Sequence, residues 1–148
     1  MKIGFGCDHT GFELKAVLME HMKEKGHECV DLNAPEDAGG KVDYPVPGRR
    51  VGEAVASGEV DRGVLVCGTG IGISLAANKV KGIRAAVVSE PVSASLAMRH
   101  NNANIISMGA RIVGPEMGKA ILDAFFDSTF EGGRHARRVD MIMEIENS

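Results

Sequence analysis

The chain of 148 residues has no tryptophan, one tyrosine and five phenylalanines. So few aromatic platforms argue against stacking of single-stranded bases as its task. Positive charge is short as well. Seventeen Lys and Arg stand against twenty Asp and Glu, so no global field exists to hold a polyanion, and no nucleic-acid partner is expected. Long hydrophobic runs are missing: none approaches the ~20 residues that a spanning helix requires. Met1 to Phe5 reads as a strand, not as the apolar region of a signal peptide. The expectation is a cytoplasmic protein with no membrane partner. Cysteine is sparse, and Cys7, Cys29 and Cys67 are an odd number at unrelated spacings. That suits reduced thiols better than a disulfide framework. No His/Cys spacing makes a metal site, so neither a metal nor a cofactor is expected.

What is present is ordinary globular material, 44% hydrophobic and 25% charged. The length suits one domain, residues 1–148, with about 68 to 70% of the unfolded surface buried. Along it, strands alternate with helices. Lys2–Gly6, Glu28–Leu32, Arg62–Cys67, Arg84–Ser89 and Asn104–Met108 read as strands. Helices are expected at Gly11–Lys25, Gly48–Ser57, Ile73–Lys79, Pro91–His100, Pro115–Asp127 and from Gly133 to Glu146. Asn33–Pro47, with three prolines and adjacent glycines, reads as a surface loop. This alternation predicts a single-domain α/β fold, a doubly wound five-stranded parallel sheet of the Rossmann or flavodoxin-like kind in the order 2-1-3-4-5. The final helix carries Val139, Ile142 and Met143 on one side and Met141 and Ile145 on another. That is more apolar surface than one packing face needs, so it is expected at a subunit interface.

In such a sheet the first and third strands meet at the switch point, and ligands bind beyond their carboxyl ends. There lie Cys7-Asp8-His9-Thr10-Gly11 and Cys67-Gly68-Thr69-Gly70-Ile71-Gly72. The second is a glycine-rich turn feeding a helix, where free N–H groups favour an anion. It lacks the Lys-Ser/Thr of a P-loop, and Ile73 stands where a dinucleotide fingerprint needs glycine, although Glu90 keeps a nicotinamide enzyme as an alternative. Cys67 reads equally as a small buried hydrophobe or as a thiolate favoured by the helix start. Asp8 and His9 read either as a cap with a surface imidazole or as site residues. Arg134 and Arg138 share a face in a helix's first turn, where the dipole disfavours cations unless an anion lies between them. A small phosphorylated ligand suits that cluster.

Taken together, Gly6-Cys7-Asp8-His9, Asp43-Tyr44-Pro45, Cys67 through Gly72, Ala77-Asn78-Lys79, Gly82-Ile83-Arg84-Ala85, Ser89-Glu90, His100-Asn101, Gly109-Ala110-Arg111 and Glu131-Gly132-Gly133-Arg134-His135 resemble the type B ribose 5-phosphate isomerases, of a family that includes the galactose 6-phosphate isomerase subunits. The similarity covers nearly the whole chain. It implies a metal-free aldose-ketose isomerase working through a cis-enediol, as a homodimer or dimer of dimers whose interface completes each site. By that resemblance Cys67 matches the base, and Thr69 with the Gly68, Gly70, Ile71 and Gly72 turn matches the stabilisers of the enediolate. Asp8 and His100 match ring-opening groups. His9, Arg134 and Arg138 match phosphate contacts, while Tyr44, Asn101 and Arg111 match sugar or interface contacts. Two departures bear on mechanism and substrate. Ile73 stands where some members carry a glutamate base, and Asn33–Gly40 replaces a Gly-Thr turn. His100-Asn101 favours a pentose phosphate, with allose, galactose or tetrose phosphates, or a non-catalytic sugar-phosphate module, as alternatives.

Overall fold

A computed structural model describes residues 1–148. Five strands, β1 (Lys2–Cys7), β2 (Glu28–Asp31), β3 (Arg62–Cys67), β4 (Ala85–Val87) and β5 (Ile105–Gly109), form one all-parallel sheet. Six helices accompany it: α1 (Phe12–Glu24), α2 (Pro45–Ser57), α3 (Ile71–Ala77), α4 (Pro91–Arg99), α5 (Pro115–Phe126) and α6 (Arg134–Glu146). The class is the expected Rossmann-like α/β fold. No helix is long and apolar enough to cross a membrane.

The strand order is β2-β1-β3-β5-β4, not 2-1-3-4-5. Burial explains the exchange. Every residue of β5 is buried, as a strand covered on both faces must be. β4 is 3 residues long and its residues are only partly buried or exposed, so it takes the edge. Because crossovers are right-handed, reversing the step from β4 to β5 moves α4 to the opposite face from α3. Accordingly α1, α4 and α5 cover one face and α2 and α3 the other. The first face holds the larger core, including Leu18, Ile121, Leu122 and Phe125. The second holds a small one around Val51, Leu65 and Ile73.

Alternation along two strands aims the thiols at the end of the sheet. In β1, Ile3, Phe5 and Cys7 enter the larger core, while a Cβ on Gly6 would lie 2.7 Å from Val51 of α2. In β3, Val64 and Val66 enter that core and Leu65 and Cys67 face α2 and α3. Several boundaries shift from the expected ones. The Pro45–Pro47 stretch belongs to α2 instead of the preceding loop, since proline is well placed in a first turn, and α3 begins at Ile71, straight after the glycine turn.

Candidate active site

The two loops at the switch point are clamped together. Asp8 N–H donates to the Val66 carbonyl at 3.1 Å. Across the next strand pair, Ala110 N–H donates to Cys67 O at 2.8 Å and Arg111 N–H to Gly68 O at 3.0 Å. Gly70 has φ +80°, and a Cβ there would meet the Met108 backbone at 2.7 Å. Its carbonyl accepts the buried Ser107 hydroxyl at 2.7 Å. Only glycine lets the turn lie this close against β5.

Cys67 is 4% exposed, and its Sγ accepts the Gly70 N–H at 3.1 Å. A backbone donor aimed at sulfur stabilises negative charge on it. Thr69 is exposed, and its Oγ1 accepts the Ile71 N–H at 3.2 Å, leaving its own proton free to donate outward. Two amides of the turn are therefore engaged inside the loop, which leaves the Thr69 hydroxyl as the prominent outward donor. Cys7, one strand over, differs. Burial pushes its thiol up to about 12, only partly offset by the Lys15 charge, so it stays protonated and inert.

Asp8 is 6% exposed. It receives the Thr10 N–H at 2.9 Å and the Thr10 hydroxyl at 2.6 Å, both on Oδ1. His9 is exposed, and its Nδ1 rests against the Val42 backbone, 3.1 Å from the carbonyl oxygen and 3.2 Å from the amide nitrogen, which fixes the ring's orientation. Tyr44 precedes α2, and its ring would stand 2.6 Å from a Cβ on Gly72. The Arg111 side chain crosses Gly68 at 3.5 Å on the same measure. Beside the turn, toward β4, opens a cleft of about 370 Å³ lined by Thr69, Ile71, Ser89, Glu90 and Ile112 among others. Cys67, Asp8 and His9 do not line it, so the reactive groups gather on the β1 side of the turn.

Two residues missed in the sequence support this cluster. Asn33 Oδ1 accepts the Cys7 N–H at 3.0 Å and the Lys15 ammonium at 2.9 Å, and its Nδ2 donates to Cys7 O at 2.8 Å. Lys15, 5% exposed on the inner side of α1, also meets Asp31 at 2.8 Å. A lysine between Leu14 and Leu18 was the available signal. This network ties the Asn33–Gly40 stretch to the strand end that presents Asp8 and His9.

The remaining sequence-predicted residues lie elsewhere. Ser89 and Glu90 border the cleft beside Thr69, and α4 then runs nine residues away from it, roughly 13 Å, to His100 and Asn101. Glu131 N–H donates to Arg99 O at 3.0 Å, so Glu131 and the start of α6, with exposed Arg134 and Arg138, sit at that amino-terminal end too. His100 and His135 stack with ring centroids 4.1 Å apart. The Arg99 guanidinium, 2.6 Å from Glu131 Oε2, holds that carboxyl below its usual range, with help from both histidines. Burial, then the charges of His100 and Arg134, push His135 down from 6.5. Within one chain, Cys67, Thr69, Asp8, His9, Tyr44 and Arg111 thus come together, whereas His100, Asn101, Arg134 and Arg138 form a second group at the opposite sheet end.

Comparison with known proteins agrees across the chain. The family described as Ribose/Galactose Isomerase matches residues 3–142. Ribose-5-phosphate isomerase B of Escherichia coli (strain K12) is 50% identical over 145 residues, 98% of this chain and 96% of that protein. Among solved structures, Clostridium thermocellum ribose-5-phosphate isomerase B has a TM-score of 0.95 at 48% identity, covering 99% of this chain and 98% of that one. The Mycoplasma genitalium enzyme, solved with bound ribulose-5-phosphate, has a TM-score of 0.91 at 42% identity, covering 99% and 97%.

Proposed function

Because this chain belongs to the ribose/galactose isomerase family, we infer that it is an aldose-ketose isomerase interconverting D-ribose 5-phosphate and D-ribulose 5-phosphate. The observation that carries the chemistry is the Cys67 sulfur at the end of β3, facing the Gly70 N–H with the Thr69 hydroxyl alongside. Isomerisation oxidises C2 and reduces C1 of the same molecule, so no outside redox partner is consumed. It needs a base at carbon and donors at the oxygen that becomes anionic.

Ring opening comes first. A base takes the proton of the anomeric hydroxyl while an acid returns one to the ring oxygen, leaving an aldehyde at C1. Asp8 and His100 are assigned these roles. The Cys67 thiolate then removes the proton on C2, and that electron pair forms the C1–C2 double bond while negative charge moves to O1. The Thr69 hydroxyl meets this charge, together with those N–H groups of the glycine turn that are not engaged within the loop. Once O1 is protonated, the cis-enediol loses the proton on O2, C2 becomes the carbonyl, and Cys67 returns its proton to C1.

The two groups of residues belong to one site only if two chains build it. A strand of six residues spans roughly 17 Å, too far for one chain's His100 to meet its own Cys67 over a five-carbon sugar. We assign the protein a homodimer, or a dimer of dimers, in which residues 1–148 form one isomerase domain per chain. His100, Asn101, Arg134 and Arg138 of a second copy then complete the Cys67 site. Arg134, Arg138 and His9 take the phosphate, while Tyr44, Asn101 and Arg111 contact the sugar or the interface. Ile71 and Leu75 of α3 and Met141, Ile142 and Ile145 of α6 are exposed apolar side chains that such an assembly would cover.

The test is ketose formation from ribose 5-phosphate by wild-type protein and by Cys67→Ser. Serine is a far weaker base at neutral pH, so the variant should fold and bind phosphate but lose most turnover. Near-native turnover would remove Cys67 from the role of base. Turnover of a tetrose or hexose phosphate with none of ribose 5-phosphate would keep the chemistry and overturn the substrate.

A further inference from the structure

Three groups carrying lone pairs converge at the amino-terminal end of the sheet. His100 follows the last residue of α4, Glu131 lies between α5 and α6, and His135 is in the first turn of α6. Both histidines approach one carboxylate oxygen: His100 Nε2 is 3.6 Å and His135 Nε2 3.7 Å from Glu131 Oε1. The ligand atoms of all three lie within 4.8 Å of one another. The imidazoles stack nearly parallel, 7° apart, so their in-plane lone pairs run side by side, and one ring must turn about its Cβ–Cγ bond for both nitrogens to face a single ion.

These separations are too long for direct hydrogen bonds. They are close to the roughly 3.4 Å edge between tetrahedral ligands bonded to an ion at about 2.0 to 2.2 Å. The other carboxylate oxygen is fixed by Arg99 at 2.6 Å, the kind of outer contact that orients a ligating carboxylate. Two imidazoles and one carboxylate are a borderline-soft set that suits Zn²⁺ and its neighbours more than Mg²⁺ or Ca²⁺. Arg134 and Arg138 oppose a cation here, so its affinity would come from the donor set and not from the surrounding field.

We propose that His100, Glu131 and His135 form a binding site for one divalent transition cation of the Zn²⁺ type, and that the bound ion inhibits the enzyme by occupying the His100 nitrogen. Binding stands on the cluster alone, whereas inhibition rests on the ring-opening role given to His100 above. The site is a brake and not a cofactor site: the isomerase is active without the ion, and a chelator restores activity to protein that holds it.

Full-length protein stripped of metal is titrated with Co²⁺, followed by absorption, and with Zn²⁺, followed by calorimetry. One ion per chain is expected, with no thiolate-to-cobalt charge-transfer band. Glu131→Gln and His135→Gln each remove one ligand and should weaken binding at least about tenfold, while Cys67→Ser binds as the wild type does. No binding, binding unchanged in both ligand variants, or a thiolate band overturns the site. A fully occupied site with undiminished turnover of ribose 5-phosphate overturns the inhibition. Failure of the assigned function is separable: metal-free wild type would then not convert ribose 5-phosphate, while the cobalt titration would be unaffected.

Discussion

At the scale of single residues, identical side chains diverge because alternation sends them to different faces. Cys7 and Cys67 end neighbouring strands, yet one enters the larger core and is held as a thiol, while the other meets a backbone N–H. What holds that N–H in place is Gly70. A side chain there would need φ +80° and would meet Met108 backbone that cannot swing aside. Gly70→Ala should therefore cost about 2 kcal/mol or more by overpacking and strain, and reduce turnover by displacing the donor to Cys67. Gly82→Ala is the control. It shares the left-handed backbone at φ +91° but has open space around the added methyl, so it should cost less and leave turnover intact. Denaturant midpoints and rates check both, and equal losses in the two variants would mean that the turn is not clamped.

At the scale of elements, the pairing of α1 with α5 combines core contacts with one polar clamp. Asp123 of α5 receives His21 of α1 at 2.7 Å and Lys25, the residue that caps α1, at 2.8 Å. Burial alone would raise the Asp123 pKa, but the bonds from Lys25 and His21 outweigh it and bring it below 3.8. A carboxyl depressed in the folded state adds stability in full above its unfolded value and loses it as pH falls through the folded one. Partial exposure screens the clamp, limiting it to about 1 kcal/mol. Asp123→Asn should thus lower the urea midpoint at neutral pH, and the gap from wild type should close in strong acid, below 3.8. A gap independent of pH would mean that the loss comes from packing and not from the charge.

At the scale of the whole molecule, the separation of the two residue groups predicts complementation between chains. Cys67→Ser and His100→Asn should each be nearly inactive alone. If the two chains are unfolded together and refolded in equal amounts, half of the dimers are mixed, and one site in each mixed dimer holds neither lesion. Activity should return to roughly a quarter of the wild-type level, the share of intact sites in a two-fold dimer with composite sites. No recovery, with mixed dimers shown to form, would place both residues in a site built by one chain.

The alternation of strands and helices, the turn from Gly68 to Gly72 and the residues resembling an isomerase are all legible in the amino-acid order. Each is a local matter of periodicity, glycine placement or residue type. The bounds of β3 were legible because its buried run is continuous, whereas the start of α2 was hidden by prolines that a first turn tolerates. Segments that follow helices lie at the amino side of a parallel sheet, so the element order alone separates His100 and Arg134 from Cys67. That β5 lies inside β4 emerges only in the folded chain, because that choice compares the burial of two strands and not the pattern within either. Folding likewise decides that Glu131 faces His100 and His135 together, since residues 31 and 4 apart in the chain meet there only when the end of α4 and the start of α6 lie at the same edge of the fold.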